Sequence, residues 1–143
     1  MKCTTIIDKD REEEIIIYLH ERSELSDKIE RLVLESDTEL FGYLDRSIVK
    51  LDPKEIFCFF IEDGKVFAGI KDKNLRIMRR LYEIEQTFGT DFLKINQSCL
   101  INKEKIEKFD VTLGGALRVT LKNGYSDYIS RRQLKSVKER LNF

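Results

Sequence analysis

Tryptophan is absent from this chain of 143 residues, which has one histidine, one proline and three cysteines. The thiols Cys3, Cys58 and Cys99 are odd in number and widely spaced, and His20 stands alone. That excludes the paired spacings of a zinc site and the even count of a disulfide framework, so reduced thiols and no metal are expected. No apolar run is long enough to span a bilayer. The N-terminus, MKCTTIIDKDREEE, reaches acids before any apolar core of a signal peptide can form, so a cytoplasmic protein is expected. A Gly-rich phosphate loop, a Ser nucleophile elbow and a His-containing pair are all missing. The chain is therefore expected not to be an enzyme and to take no cofactor. Glu12–Glu14 reads as a solvated charge run, His20 as a surface histidine, and Cys99 as a small apolar filler rather than a redox sensor. The length suits one domain with a small appendage.

Net charge is also absent, because 26 bases cancel 26 acids. The cancellation hides a dipolar molecule. Residues 1–63 carry 9 bases and 17 acids, a net of −8, and residues 64–143 carry 17 and 9, a net of +8. Residues 92–143 hold 11 bases against 5 acids. A cationic half with Asn, Gln and Ser beside the charges suits a polyanion with hydrogen-bonding edges, and nucleic acid is the first candidate.

The apolar pattern divides the chain at residue 36. Ile6–Ile7 and Glu14–Leu19 are β-rich segments, the second built on the β-branched run Ile15–Ile17. A helix is expected over 25–35, capped by Ser23 or Ser26, with Leu25, Ile29, Leu32 and Val33 as its apolar stripe. Residues 1–36 thus predict an acidic strand–strand–helix leader, a poor surface for DNA.

From Asp37 onward the chain is mainly β. Glu39–Tyr43 and Ser47–Leu51 predict a hairpin closed by Pro53, which cannot donate to a ladder. Ile56–Ile61 (IFCFFI) reads as a strand buried on both faces, and Asp63–Gly64 as its hairpin turn to Lys65–Ile70. A short helix over 78–88 ends at Gly89 as its C-cap. Strands follow at 92–95, 99–101, 106–113, 116–121 and 125–129, with turns at Asn96–Ser98, Gly114–Gly115 and Asn123–Gly124. Ser130 is the expected N-cap of a last helix, with Leu134, Val137 and Leu141 inward and Arg131, Arg132, Lys135, Lys138 and Arg140 outward.

DNA binding needs cations that neutralise phosphates and planar or forked side chains that read base edges. Asn96–Gln97–Ser98 in one loop and Arg131–Arg132 at a helix start offer both.

The stretches FLKINQSCLINKEKI, GGALRVTLKNG and YISRRQLKSVKERL, with EIFCFFIEDGKVFA and LYEIEQTF before them, resemble the LytTR DNA-binding domain of bacterial transcription regulators. The resemblance covers residues 37–143, and residues 1–36 are similar to the leader of stand-alone members without a phosphoacceptor receiver domain. It implies stacked antiparallel sheets of about ten short strands with small helices, α+β once the leader is counted. It implies an elongated domain that binds successive major grooves of double-stranded DNA through loops. Paired direct repeats imply a homodimer, at least on DNA. Genes of stand-alone members often neighbour a small multi-pass membrane protein, which makes a membrane-bound inhibitor protein a candidate partner.

By the same resemblance, Lys65 after the first turn lies near a groove, and Asn96 and Gln97, with Ser98 beside them, lie against bases. Arg132 matches the base-reading arginine, and Ser130 and Lys135 match phosphate contacts. Lys94 and Arg131 complete the set as cations. Many relatives have His followed by Asn or Arg where this chain has Asn96–Gln97, so its preferred bases are expected to differ. A different class of reading is a protein-interaction module whose basic face binds an acidic protein partner. Salt-dependent, sequence-preferring binding to duplex DNA separates the two.

Overall fold

The computed structural model describes residues 1–37 and 39–143, with side chains for residues 1–34 and 39–143. After helix α1 (Glu24–Asp37) come β1 (Leu40–Leu44), β2 (Ser47–Leu51), β3 (Cys58–Glu62), β4 (Lys65–Ile70) and β5 (Lys73–Ile77). Helix α2 (Leu81–Phe88) leads to β6 (Phe92–Asn96), β7 (Cys99–Asn102), β8 (Ile106–Val111), β9 (Leu117–Leu121) and β10 (Ser126–Ile129), and α3 (Arg131–Leu141) closes the chain. Every recorded strand pairing is antiparallel. One sheet has the order β2-β1-β5-β4-β3-β7-β6, the other β10-β9-β8.

Two apolar clusters hold the layers together. Phe59, Leu75, Ile84, Phe88 and Phe92 fill the first, between the large sheet and α2, with the Phe59 and Phe92 rings 4.9 Å apart. Phe57, Leu93, Ile95, Val119, Leu121 and Val137 fill the second, where both sheets and α3 meet. The IFCFFI run serves both, Ile56 and Phe59 in the first and Phe57 and Cys58 in the second. Each such side chain, fully buried, contributes about 1.5–3 kcal/mol. In β9 the expected alternation holds, with Leu117, Val119 and Leu121 buried and Arg118 exposed.

The turn between β3 and β4 has positive φ at both central residues, Asp63 (52°) and Gly64 (72°), the geometry that suits strand twist. Gly89 does follow α2, but in the right-handed region (φ −65°) rather than as a left-handed cap. Glycine stands there for space: a Cβ would strike the Glu85 carbonyl oxygen and lie 3.4 Å from Nη1 of Arg31 on α1.

Two expectations are corrected. The strands expected at Ile6–Ile7 and Glu14–Leu19 do not form; these segments make no ladder pairing among the described residues, and Ile6, Ile7, Ile15, Ile16 and Tyr18 are exposed. β-branched propensity makes a strand only where another strand supplies hydrogen bonds. The helix expected from residue 78 begins at Leu81, because 78–80 turn away from β5, a strand that charged residues concealed. Arg140 is exposed with the other bases of α3, as expected, but it is also tied down. Its Nη2 donates to the Gly89 carbonyl at 2.7 Å and lashes α3 to the end of α2.

The leader helix forms as expected. Ser23 and Ser26 cap it reciprocally, each hydroxyl accepting from the other's N–H at 3.3 and 3.1 Å. Ile29 and Val33 are half-buried while Leu25 and Leu32 stay exposed. The expected domain boundary between residues 36 and 37 falls in the last turn of α1, where side chains lie outside the described residues.

Candidate nucleic-acid interface

Antiparallel pairing brings the ends of β3 and β6 and the starts of β4 and β7 to one edge of the large sheet. Hydrogen bonds join three segments there. Ile61 N–H donates to the Ser98 carbonyl at 2.9 Å, tying the β3–β4 turn to the β6–β7 turn. Ser130 N–H donates to the Ile95 carbonyl at 2.8 Å, tying the start of α3 to β6. The β6–β7 turn is therefore central, with the β3–β4 turn on one side and the β10–α3 junction on the other.

A bulge at Ile95 decides which way the central residues face. Leu93 pairs with Ile101 and Lys94 with Leu100, but Asn96 pairs with Cys99, so Ile95 is the extra residue. Leu93 and Ile95 pack in the second cluster. The register shift turns Asn96 toward the small sheet as well, where its Nδ2 donates to Asp127 Oδ2 at 3.0 Å and to the Tyr128 carbonyl at 2.9 Å. Its Oδ1 accepts the Ser98 N–H at 2.8 Å, closing the turn. Both amide hydrogens of Asn96 are thus used within the chain. Gln97 and Ser98 are exposed at the tip.

Lys65 is exposed at the first turn, opposite Glu62. Lys94 is half-buried on the other face of β6, in a groove with Gln97 and Arg80. Arg131, Arg132 and Lys135 are exposed on the first turns of α3. Ser130 occupies the N-cap position with extended backbone (φ −67°, ψ 153°), but its hydroxyl makes no capping bond; its carbonyl accepts from Gln133 and Leu134 at 3.0 Å. The first turn of α3 contains no acid. Cations at the positive end of a helix are disfavoured by about 0.3–1 kcal/mol, and an anion binding there would relieve that cost. The chain thus brings Lys65, Asn96, Gln97, Ser98 and Ser130, with Arg131, Arg132 and Lys135 on the first turns of α3, to one row of segments, with Lys94 set back beside it.

Asp127 is the acid at the centre of this cationic surface, and sequence reasoning missed it. Its Oδ1 accepts the Tyr128 N–H at 2.7 Å, and its Oδ2 takes Asn96 and, at 3.3 Å, the Tyr125 hydroxyl. Burial, with Cys99 and Asp127 nearby, pushes the Tyr125 hydroxyl above its usual range. Burial also raises Cys99, and it pushes Cys58 up to about 12. Both thiols are therefore protonated at neutral pH and poorly reactive. Among the described residues no three His, Cys, Asp or Glu side chains gather as a metal site, and no helix is long and apolar enough to cross a membrane.

Residues 46–142 match the family model of the LytTr DNA-binding domain. The chain is 31% identical over 137 residues to an uncharacterized HTH-type transcriptional regulator of Staphylococcus aureus strain MSSA476, covering 92% of each chain. It is 34% identical over 109 residues to another such regulator of strain NCTC 8325, covering 76% of this chain and 74% of the relative. In three dimensions it is similar to a LytTr DNA-binding domain from Bacillus cereus, with a TM-score of 0.69 at 13% identity, over 75% of this chain and 99% of that one.

Proposed function

This chain belongs to the LytTR family of DNA-binding domains, and we propose that it is a sequence-specific transcription regulator that reads duplex DNA through loops. The observation that carries this reading is the hydrogen-bonded row of three segments, β3–β4 turn, β6–β7 turn and β10–α3 junction. Along it Lys65, Gln97, Ser98, Arg131, Arg132 and Lys135 stand exposed. Among the described residues the four cations of that row make no ion pair. A helix–turn–helix needs two helices joined by a short turn. Here α2 and α3 are separated by five strands, and the candidate readers stand on the β6–β7 turn and on the first turn of α3.

Arg132 reads a guanine edge and Gln97 an adenine edge in successive major grooves, each about 12 Å wide. Lys65, Lys94, Ser130, Arg131 and Lys135 hold phosphates. Asn96 acts first as the residue that shapes the central loop. Two protomers sit side by side on direct repeats. The leader, with its exposed Ile and Leu side chains, serves contacts between protomers or with a membrane-bound inhibitor protein.

The test is binding of the full chain to its own upstream DNA across a salt titration. Four to six phosphate contacts at about −0.9 each give a slope of log K against log salt of roughly −4 to −5 per protomer. Arg132→Ala is expected to cost about 1–3 kcal/mol on the specific site and little on random duplex. Lys135→Ala is expected to weaken both alike. A slope near zero discards the DNA reading in favour of an acidic protein partner.

A further inference from the structure

We infer that Arg80, at the head of α2, is a phosphate-binding residue of the DNA face, closing with Lys94 on the strand that crosses between the first two turns. The inference rests on the duplex-DNA reading above and adds a contact that neither the sequence motifs nor the family match assigns.

A groove of about 350 Å³ lies between the head of α2 and the end of the large sheet that carries the β3–β4 and β6–β7 turns. Gly64 lines it from the first turn and Gln97 from the second, with Lys94 on β6 and Arg80 and Tyr82 on α2. Gly64 leaves the groove's rim open, since no atom lies within 4 Å of where a Cβ would stand. The occupant expected there is the sugar–phosphate backbone of the DNA that the two turns engage.

Arg80 is built to meet it. Its backbone is fixed, because its carbonyl accepts from Glu83 and Ile84 at 3.1 and 3.2 Å. Its side chain is exposed and, among the described residues, has neither an ion pair nor a hydrogen bond. The neighbouring Arg79 is different: its Nη2 donates to the Glu39 carbonyl at 3.1 Å, so that guanidinium is committed within the chain. Arg76 shares an adjoining groove with Arg79, Arg80 and Gly64, and its Nε is buried without a partner, which deepens the positive field. The acids nearby are Glu83 in the first turn of α2, which lines that adjoining groove, Glu85 on the groove wall, and Glu62 and Asp63 in the turn that holds Gly64. Arg80 and Lys94 outnumber the single carboxylate, Glu85, that lines the groove with them.

The arrangement repeats at α3. That helix starts on Arg131 after an extended N-cap residue, Ser130 (ψ 153°), while α2 starts on Leu81 with Arg80 as its extended N-cap residue (ψ 150°). Residues of α2 pack in the first cluster and Val137 of α3 in the second, on the two sides of β6. The central turn is thus straddled by two helices whose positive ends carry arginine. Such ends favour anions, and a guanidinium there gains most from a phosphate.

The experiment uses the full chain, a fluorescent duplex bearing its site and a scrambled duplex, each titrated with salt. Arg80→Ala is expected to weaken both duplexes about five- to tenfold and to make the salt slope shallower by about 0.9. Arg80→Gln should behave like Arg80→Ala, Arg80→Lys should keep the slope, and Arg79→Ala should leave it unchanged. If Arg80→Ala and Arg80→Gln keep the wild-type slope and affinity, the inference is overturned while the DNA reading stands. Loss on the specific duplex alone also overturns it, because Arg80 would then read bases. Wild-type protein with no salt-dependent duplex binding removes the DNA reading and this contact together.

Discussion

Asn96→Ala is expected to destabilise the fold rather than merely relax base preference. The amide makes three bonds: Oδ1 with Ser98 N–H at 2.8 Å, and Nδ2 with the Tyr128 carbonyl at 2.9 Å and Asp127 Oδ2 at 3.0 Å. A neutral bond contributes about 0.5–1.5 kcal/mol net and one to a charged group about 1.5–3. The site is only partly buried, so water recovers some of this, and a loss of about 2–4 kcal/mol remains. At about 3 °C per kcal/mol for a chain of this size, thermal unfolding falls by roughly 6–12 °C. Urea unfolding followed by circular dichroism measures it as a lower midpoint at unchanged slope. Asn96→Asp keeps the Ser98 bond but sets a carboxylate oxygen against Asp127, so it should be at least as damaging. Gln97→Ala, one residue along and exposed, should leave the midpoint alone and relax sequence preference. If Asn96→Ala unfolds at the wild-type midpoint while specificity broadens, the internal network is not what Asn96 is for, and it reads bases.

In native protein a thiol reagent should label Cys3 only, since Cys58 and Cys99 are buried; labelling of Cys99 at the rate of Cys3 would count against that packing. Both buried thiols titrate higher when folded than their usual 9, so the unfolded chain loses protons first. The stability they confer is complete below about pH 9 and falls as pH rises toward about 12, which denaturant midpoints between pH 7 and 11 will follow. Deleting residues 1–22, which hold no helix or strand, should keep half-site affinity in footprinting and lose cooperativity on paired repeats. A fall in half-site affinity would put the leader on the DNA.

Local pattern determined much of this molecule. The two-residue period of Leu117–Leu121, the apolar run IFCFFI, the glycine turns and the Leu134–Val137–Leu141 stripe were enough to specify a mainly antiparallel protein ending in a basic helix. These are statements about a residue and its near neighbours, where steric preference and periodic burial act. The tertiary structure decided what depends on partners far along the chain. β5 was hidden because Lys71 makes its turn at φ 48° without glycine, and because Arg76 and Asn74 interrupt the apolar signal. Among the described residues the leader's β-branched run joins no sheet. Asn96 looked like a free amide until a bulge turned it toward Asp127 and Tyr128, 31 and 32 residues away. Arg140 looked like one more surface base, yet it bonds to Gly89, 51 residues back. Composition could place a basic surface in the C-terminal half, but only the packing of three turns and two helix ends could say which cations share it. Hydrogen-bond satisfaction is a property of the folded neighbourhood, and the order of residues in the chain does not contain it locally.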